Sequence, residues 1–173
     1  MSSDHRLIGL ESIAYGTARS SASGMPATLT TVRNIVPDSA VLAIAVPSET
    51  ELNVEDSDYP DIVVHTGGEK VFEFATRDMD PNNFVAALGG GTNTGSTIWR
   101  APRDAVVVSE AAIQAISKSY GGKQYKIKCV RTALTGGADL RFSKNESGTL
   151  SFRAKVLRPI ALETDYPITG HIV

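Results

Sequence analysis

The sequence predicts a mainly β, single-domain protein carrying one short α-helix at about residues 81–88. Three observations carry that expectation. Most of the chain consists of short runs of alternating apolar and polar residues separated by Gly, Pro, Asn and Asp, the period of half-buried strands. One segment breaks the pattern: Asp80-Pro81, then Phe84, Val85 and Leu88 at helical spacing, then Gly89. Finally, 173 residues with 42% hydrophobic and 21% charged residues suit one sizeable core, and one domain.

In chain order, Arg6 to Tyr15 reads as a first strand, followed by a small-residue loop from Gly16 to Pro26, so that residues 1–26 could serve as an N-terminal arm. Ala27 to Val36 alternates and stops at Pro37-Asp38, and Ala40 to Val46, the longest apolar run, reads as a core strand. Pro47 to Asp61 is acidic and loop-like, with Leu52 and Val54 as brief pairing candidates; Ile62 to His65 is a short strand. From residue 69 to 77, Phe72 and Phe74 share one face of a strand and Val71, Glu73 and Ala75 the other.

That strand runs into the helix, whose ends define it. Asp80 is placed to accept from the free amides of the first turn, and Pro81 stands where a missing amide costs nothing. Gly89 is the stop. Two turns do not persist alone, so Phe84 and Leu88 are expected to bury against a sheet, joining Phe72 and Phe74 in a helix–sheet core.

Beyond the helix, Gly89 to Thr97 reads as a flexible surface loop and Ala105 to Val108 as β-branched strand. Ala111 to Ser119 is ambiguous: Ser109 could cap a helix, but the Gly121-Gly122 turn favours a strand paired with Gln124 to Arg131. Residues 138 to 157 form the clearest hairpin, with Leu140 and Phe142 alternating into the Asn-Glu-Ser-Gly turn. The tail from Ile160 to Val173 is extended and docks either on its own domain or on a neighbour.

No constellation for catalysis emerges. His5, His65 and His171 lie at no ligand spacing, so neither a metal nor another cofactor is expected, and an enzyme is the least supported class. Gly122-Lys123 resembles the end of a phosphate loop, but Ser117 and Gln124 occupy the wrong positions. Asp56 and Asp58 could bind a cation or act as an acid pair, yet six acids within thirteen residues read more simply as a solvated loop. The single cysteine, Cys129, alternates with Ile127 and Tyr125 as a buried structural thiol. Trp99 beside Arg100 could stack on a ligand, against a simpler half-buried packing role. The N-terminus leads into no apolar segment and no run is long enough to span a bilayer, so cytoplasmic synthesis is expected and the Asn145-Glu146-Ser147 acceptor goes unused.

The net charge of −2 hides an uneven distribution. Ten of nineteen acids lie between Glu49 and Asp80, and twelve of seventeen bases between Arg100 and Arg158. Either two solvated faces alternate through the fold, or an acidic patch meets a basic patch on an identical neighbour.

The acidic stretch, the Glu-Lys-Val-Phe-Glu-Phe strand, the Asp-Met-Asp-Pro-Asn-Asn-Phe-Val-Ala-Ala-Leu-Gly-Gly helix and the Leu-Ser-Phe-Arg-Ala-Lys-Val-Leu-Arg-Pro strand together resemble the major tail tube proteins of tailed bacteriophages. The resemblance spans residues 49–91 and 123–159. It implies a β-sandwich or partly rolled barrel flanked by one helix, assembling as hexameric rings that stack into a hollow tube for genomic DNA. It further implies a virion location, contacts with tape measure, terminator and baseplate or tip components, and DNA met only in the lumen. A lumen studded with cations would drag on phosphates. On that basis Glu49, Glu51, Glu55, Asp56, Asp58 and Asp61 are expected at the lumen or the ring interface, and Lys126, Lys128, Arg153 and Lys155 outside or against partners. A capsid decoration or tail-completion protein, and more remotely a ligand-binding β-sandwich, are the alternatives.

Overall fold

The computed structural model describes residues 9–19, 24–52, 62–95, 97–103, 108–144, 146–160 and 166–173, with 51, 52 and 62 by backbone alone. Its elements are β1 (Leu10–Thr17), β2 (Thr30–Val32), β3 (Val41–Ile44), β4 (Ser48–Leu52), β5 (Ile62–Thr66) and β6 (Lys70–Thr76), then α1 (Pro81–Ala87). After the helix come β7 (Thr92–Thr94), β8 (Ile98–Arg100), β9 (Ser109–Ser117), β10 (Tyr125–Phe142), β11 (Ser147–Val156) and β12 (Ile168–Ile172). The fold is mainly β with one short helix.

The principal sheet is antiparallel, in the order β2-β1-β9-β10-β11-β6-β3. Its spine is β10, whose 18 residues pair with β9 along one side and with β11 and β12 along the other. Thr132 faces Val156 of β11 and Cys129 faces Ile168 of β12, so these two strands lie end to end. The C-terminal segment therefore docks on its own domain.

The sheet curls. Val32 pairs with Ile13 of β1, and only three residues later Ile35 bridges to Thr76 of β6, at the other end of the strand order. Hydrogen bonds from Val36 N to Ala75 O (2.8 Å) and from Arg77 N to Asn34 O (2.9 Å) hold that bridge. Asn34 adopts a positive φ of 49°, which ends the strand there instead of at Pro37. The ladder stays open between β2 and β3, and the curl is bridged by this short segment alone.

The concave side is filled. Phe74 and Phe152, cross-strand partners, stack at 4.6 Å with planes 4° apart, and Tyr15 of β1 reaches Phe152 at 6.2 Å. Ile13, Ile113, Leu134 and Leu150 complete the core, all 1% exposed or less. Each such side chain contributes about 1.5–3 kcal/mol on burial. Phe72 and Phe74 belong to this core at 3% and 2% exposure.

The helix closes over β10 and β11. Asp80 caps it by accepting from Asn82 N at 2.8 Å, Pro81 opens it, and Gly89 follows it at φ 64°. Its fully buried side chains are Asn83 and Ala87, four residues apart on one face. Phe84 and Leu88 are half-buried against the core. Gly136 of β10 admits the helix: a Cβ there would stand 2.2 Å from Ser151 O and 3.2 Å from the Ala87 side chain.

Several local readings are corrected. Ala40 to Val46 is an edge strand, not a core one: among the described residues β3 pairs only with β6, and Val41 and Ile44 are 52% and 58% exposed, while Leu42 alone of the strand packs inward. Hydrophobicity reported a strand but not its place in the sheet. Part of the acidic loop is strand β4, and the glycine loop contains the β7–β8 hairpin. The ambiguous segment after Ser109 is strand β9, drawn out by its neighbours β1 and β10. The β-branched run before Val108 lies outside the described residues.

Candidate functional site

The features that distinguish this chain are strand edges, ribbons and a hairpin tip. β3 ends the sheet, and Val46 just beyond it is 87% exposed. β12 pairs with β10 on one side and with no described strand on the other. Unpaired edges present a row of free N–H and C=O groups that a second chain can complete.

Among the described residues β4 and β5 pair only with one another, a ribbon outside the principal sheet. Val63 and Val64, successive residues whose side chains leave opposite faces, are 40% and 47% exposed. Glu49 faces His65 across the ribbon, Oε1 to Nδ1 at 3.4 Å, and Glu51 sits opposite Val63 in register. Glu55, Asp56, Asp58 and Asp61 lie outside the described residues. A two-stranded ribbon is marginal in water on its own.

The charge imbalance along the chain partly cancels in space. Arg153 on β11 reaches Glu73 (3.1 Å) and Glu69 (3.4 Å), and Lys155 reaches Glu69 (3.2 Å). The hydrogen bond from Lys155 and its charge, aided by Arg153, hold the Glu69 carboxyl below its ordinary range. Glu73 of β6 and Glu69 just before it are thus neighbours of the β11 bases within one chain, through the β6–β11 register. Lys126 and Lys128 of β10 share the convex face, half-exposed and without an ion pair among the described residues. Arg131 clasps Glu110 through Nε at 2.8 Å and donates to Arg158 O at 3.1 Å, fixing the exit from β11.

The β10–β11 hairpin projects past its neighbours. β9 leaves β10 at Leu134 and β6 leaves β11 at Leu150, so residues 139–142 extend beyond both. Arg141 pairs with Asp139 (3.0 Å) and Glu146 (2.8 Å), while Leu140 is 49% and Phe142 100% exposed.

Groups with chemical potential are quiet. Burial raises the Cys129 thiol to about 11, which leaves it neutral and unreactive at physiological pH. Burial, with Asp80 and Asp78 adding to it, raises the Tyr15 phenol to about 12, and its hydroxyl donates to Asn83 Oδ1 at 3.0 Å. Asn83 Nδ2 in turn donates to Asp78 O at 3.2 Å, so this residue links helix, sheet and capping loop. The ring of Trp99 stacks on Phe84 at 5.0 Å and 24°, a half-buried packing role that occupies one of its faces. His171 lies on β12 opposite Lys126, and His5 outside the described residues. Among the described residues no three His, Cys, Asp or Glu side chains gather as a metal site, and no helix is long and apolar enough to cross a membrane.

Sequence reasoning did not single out Asn83 or Gly136. The four-residue spacing of Asn83 and Ala87 was the available signal for the first. Gly136 had none, because what excludes a side chain there is a helix nearly fifty residues earlier.

No protein-family model and no curated protein matches this chain.

Proposed function

We propose that this chain is a self-assembling structural subunit of the phage tail-tube kind, forming hexameric rings that stack into a hollow tube for DNA. The observation that carries the reading is that β3 and β12, like the short β2, are sheet edges without a second partner among the described residues, β3 bearing exposed Val41 and Ile44. The two edges belong to different strands, so joining one to the other on a neighbour is a heterologous contact, the kind that closes rings. Closure removes the edges and continues the sheet from subunit to subunit. The acidic ribbon segment from Glu49 onward supplies carboxylates to the lumen or the ring interface, where they repel phosphate instead of binding it.

Function of this kind draws on repeated self-contact and needs no nucleophile, metal or cofactor. Tape measure, terminator and baseplate or tip proteins are the further partners of such a tube. Native mass measurement tests the reading: a hexamer of 18.4 kDa subunits, and multiples of it, is the expected result. Trimers that never stack would favour a capsid decoration or tail-completion role. A monomer at all concentrations would refute assembly.

A further inference from the structure

Two features of the β10–β11 hairpin and its neighbour β6 have no partner among the described residues. One is a knob: Phe142, fully exposed, with Leu140 half-exposed beside it at the end of β10. The other is a groove of about 510 Å³ on the convex face, floored by Ala75, Thr135 and Ser151, with Glu73 and Arg153 at its rim. Gly136 lines the groove, and Gly137, the cross-strand partner of Ser151, adjoins it. Neither glycine has a positive φ, but whereas Gly136 is closely approached, a Cβ at Gly137 would meet nothing closer than Ser151 Oγ at 3.4 Å. Its own fold does not require a glycine, and a bare strand position often marks the approach of another group.

We infer that Phe142 of one subunit seats in this groove on a second copy, as the contact between successive rings; the inference rests on the self-assembly proposed above. Knob and groove belong to the same chain but not to the same place on it. An apolar knob fitting a pocket elsewhere on the same molecule makes a head-to-tail contact, which propagates wherever its rotation does not close a ring. Charge permits the fit, since the tip balances Arg141 and Lys144 against Asp139 and Glu146, and the rim carries Glu73 beside Arg153.

Area selects repetition over simple dimerisation. A Phe side chain buries about 150–250 Å², far below the roughly 1,600 Å² of a stable pairwise interface. One knob holds two isolated subunits weakly. Six knobs presented together by a ring act as a multivalent set, so stacking follows ring formation.

Cysteine cross-linking and imaging of full-length protein test the contact. Residues 135 and 142 are separated by seven positions of one strand, about 23 Å, beyond the reach of a disulfide within a chain. Cys129 is buried and stays out of the reaction. Mixing Thr135→Cys with Phe142→Cys under mild oxidation is expected to give a cross-linked dimer that neither variant gives alone, and the double variant a ladder of multimers. Phe142→Ser is expected to keep wild-type unfolding and rings while tube number falls roughly tenfold or more. Wild-type tubes without the 135–142 cross-link, or undiminished tubes from Phe142→Ser, would overturn this contact alone. Failure of the wild type to form rings would count against the tail-tube reading and this inference together.

Discussion

Replacing Tyr15 by Phe removes one hydroxyl and leaves the ring in place, so the consequence is nearly all polar. In the wild type that hydroxyl donates to Asn83 Oδ1 at 3.0 Å, between residues 9% and 3% exposed. Without it, the Asn83 carbonyl is left in the core lacking its donor, which costs about 1–3 kcal/mol. At this chain length about 1 kcal/mol moves Tm by roughly 2–4 °C, so Tyr15→Phe should lower Tm by roughly 2–12 °C. Asn83→Ala strands the phenol instead and also frees Asp78 O, so it is expected to cost at least as much. In a double-mutant cycle read by urea unfolding, the pair should couple by about 1 kcal/mol or more.

The pH profile supplies a second readout of the same hydroxyl, through its burial and the nearby Asp80 and Asp78 charges. The folded phenol titrates near 12 against 10 for a free one, so folding holds Tyr15 in its protonated form. That stability is complete below pH 10 and is lost as pH rises towards 12. Two units correspond to about 3 kcal/mol as an upper figure. Tyr15→Phe lacks this component, so its stability should fall less steeply over that window, with Cys129 contributing equally to both proteins. Strict additivity in the cycle, together with identical alkaline profiles, would refute the link between helix and sheet described above.

The remaining predictions concern packing and edges. Gly136→Val places carbon against Ser151 O and Ala87, so it should destabilise the subunit by about 1–3 kcal/mol in urea unfolding; wild-type stability would mean the helix does not sit so close. Ile44→Lys puts a charge on the free edge of β3, where unfolding should change by no more than about 0.5 kcal/mol. The same variant should lose hexamers by native mass measurement, and unchanged hexamers would exclude β3 as a ring contact.

Much of the fold was legible where local pattern and local chemistry agree. The cap at Asp80-Pro81, the alternation through Phe72 and Phe74, and the 138–157 hairpin are properties of short stretches, and short stretches are what a sequence displays. Position within the sheet is not local. Val41 and Ile44 look like core residues until β3 proves to have a single partner, and Glu69 and Glu73 look like an acidic surface until β11 brings Arg153 and Lys155 beside them. Gly89 to Thr97 looked like a loop because its glycines obscure strands of three residues, held together by the Asn93–Trp99 pairing and by Phe84 beneath the indole. Phe142 was visible as an alternating strand residue, but its complete exposure depends on where β6 and β9 stop.

Electron microscopy of the purified, concentrated protein tests the central claim most directly. The account predicts stacked rings with six-fold symmetry and an open axial channel, lengthening into hollow tubes. A protein that remains a dispersed monomer, or forms only closed assemblies without a channel, would contradict it.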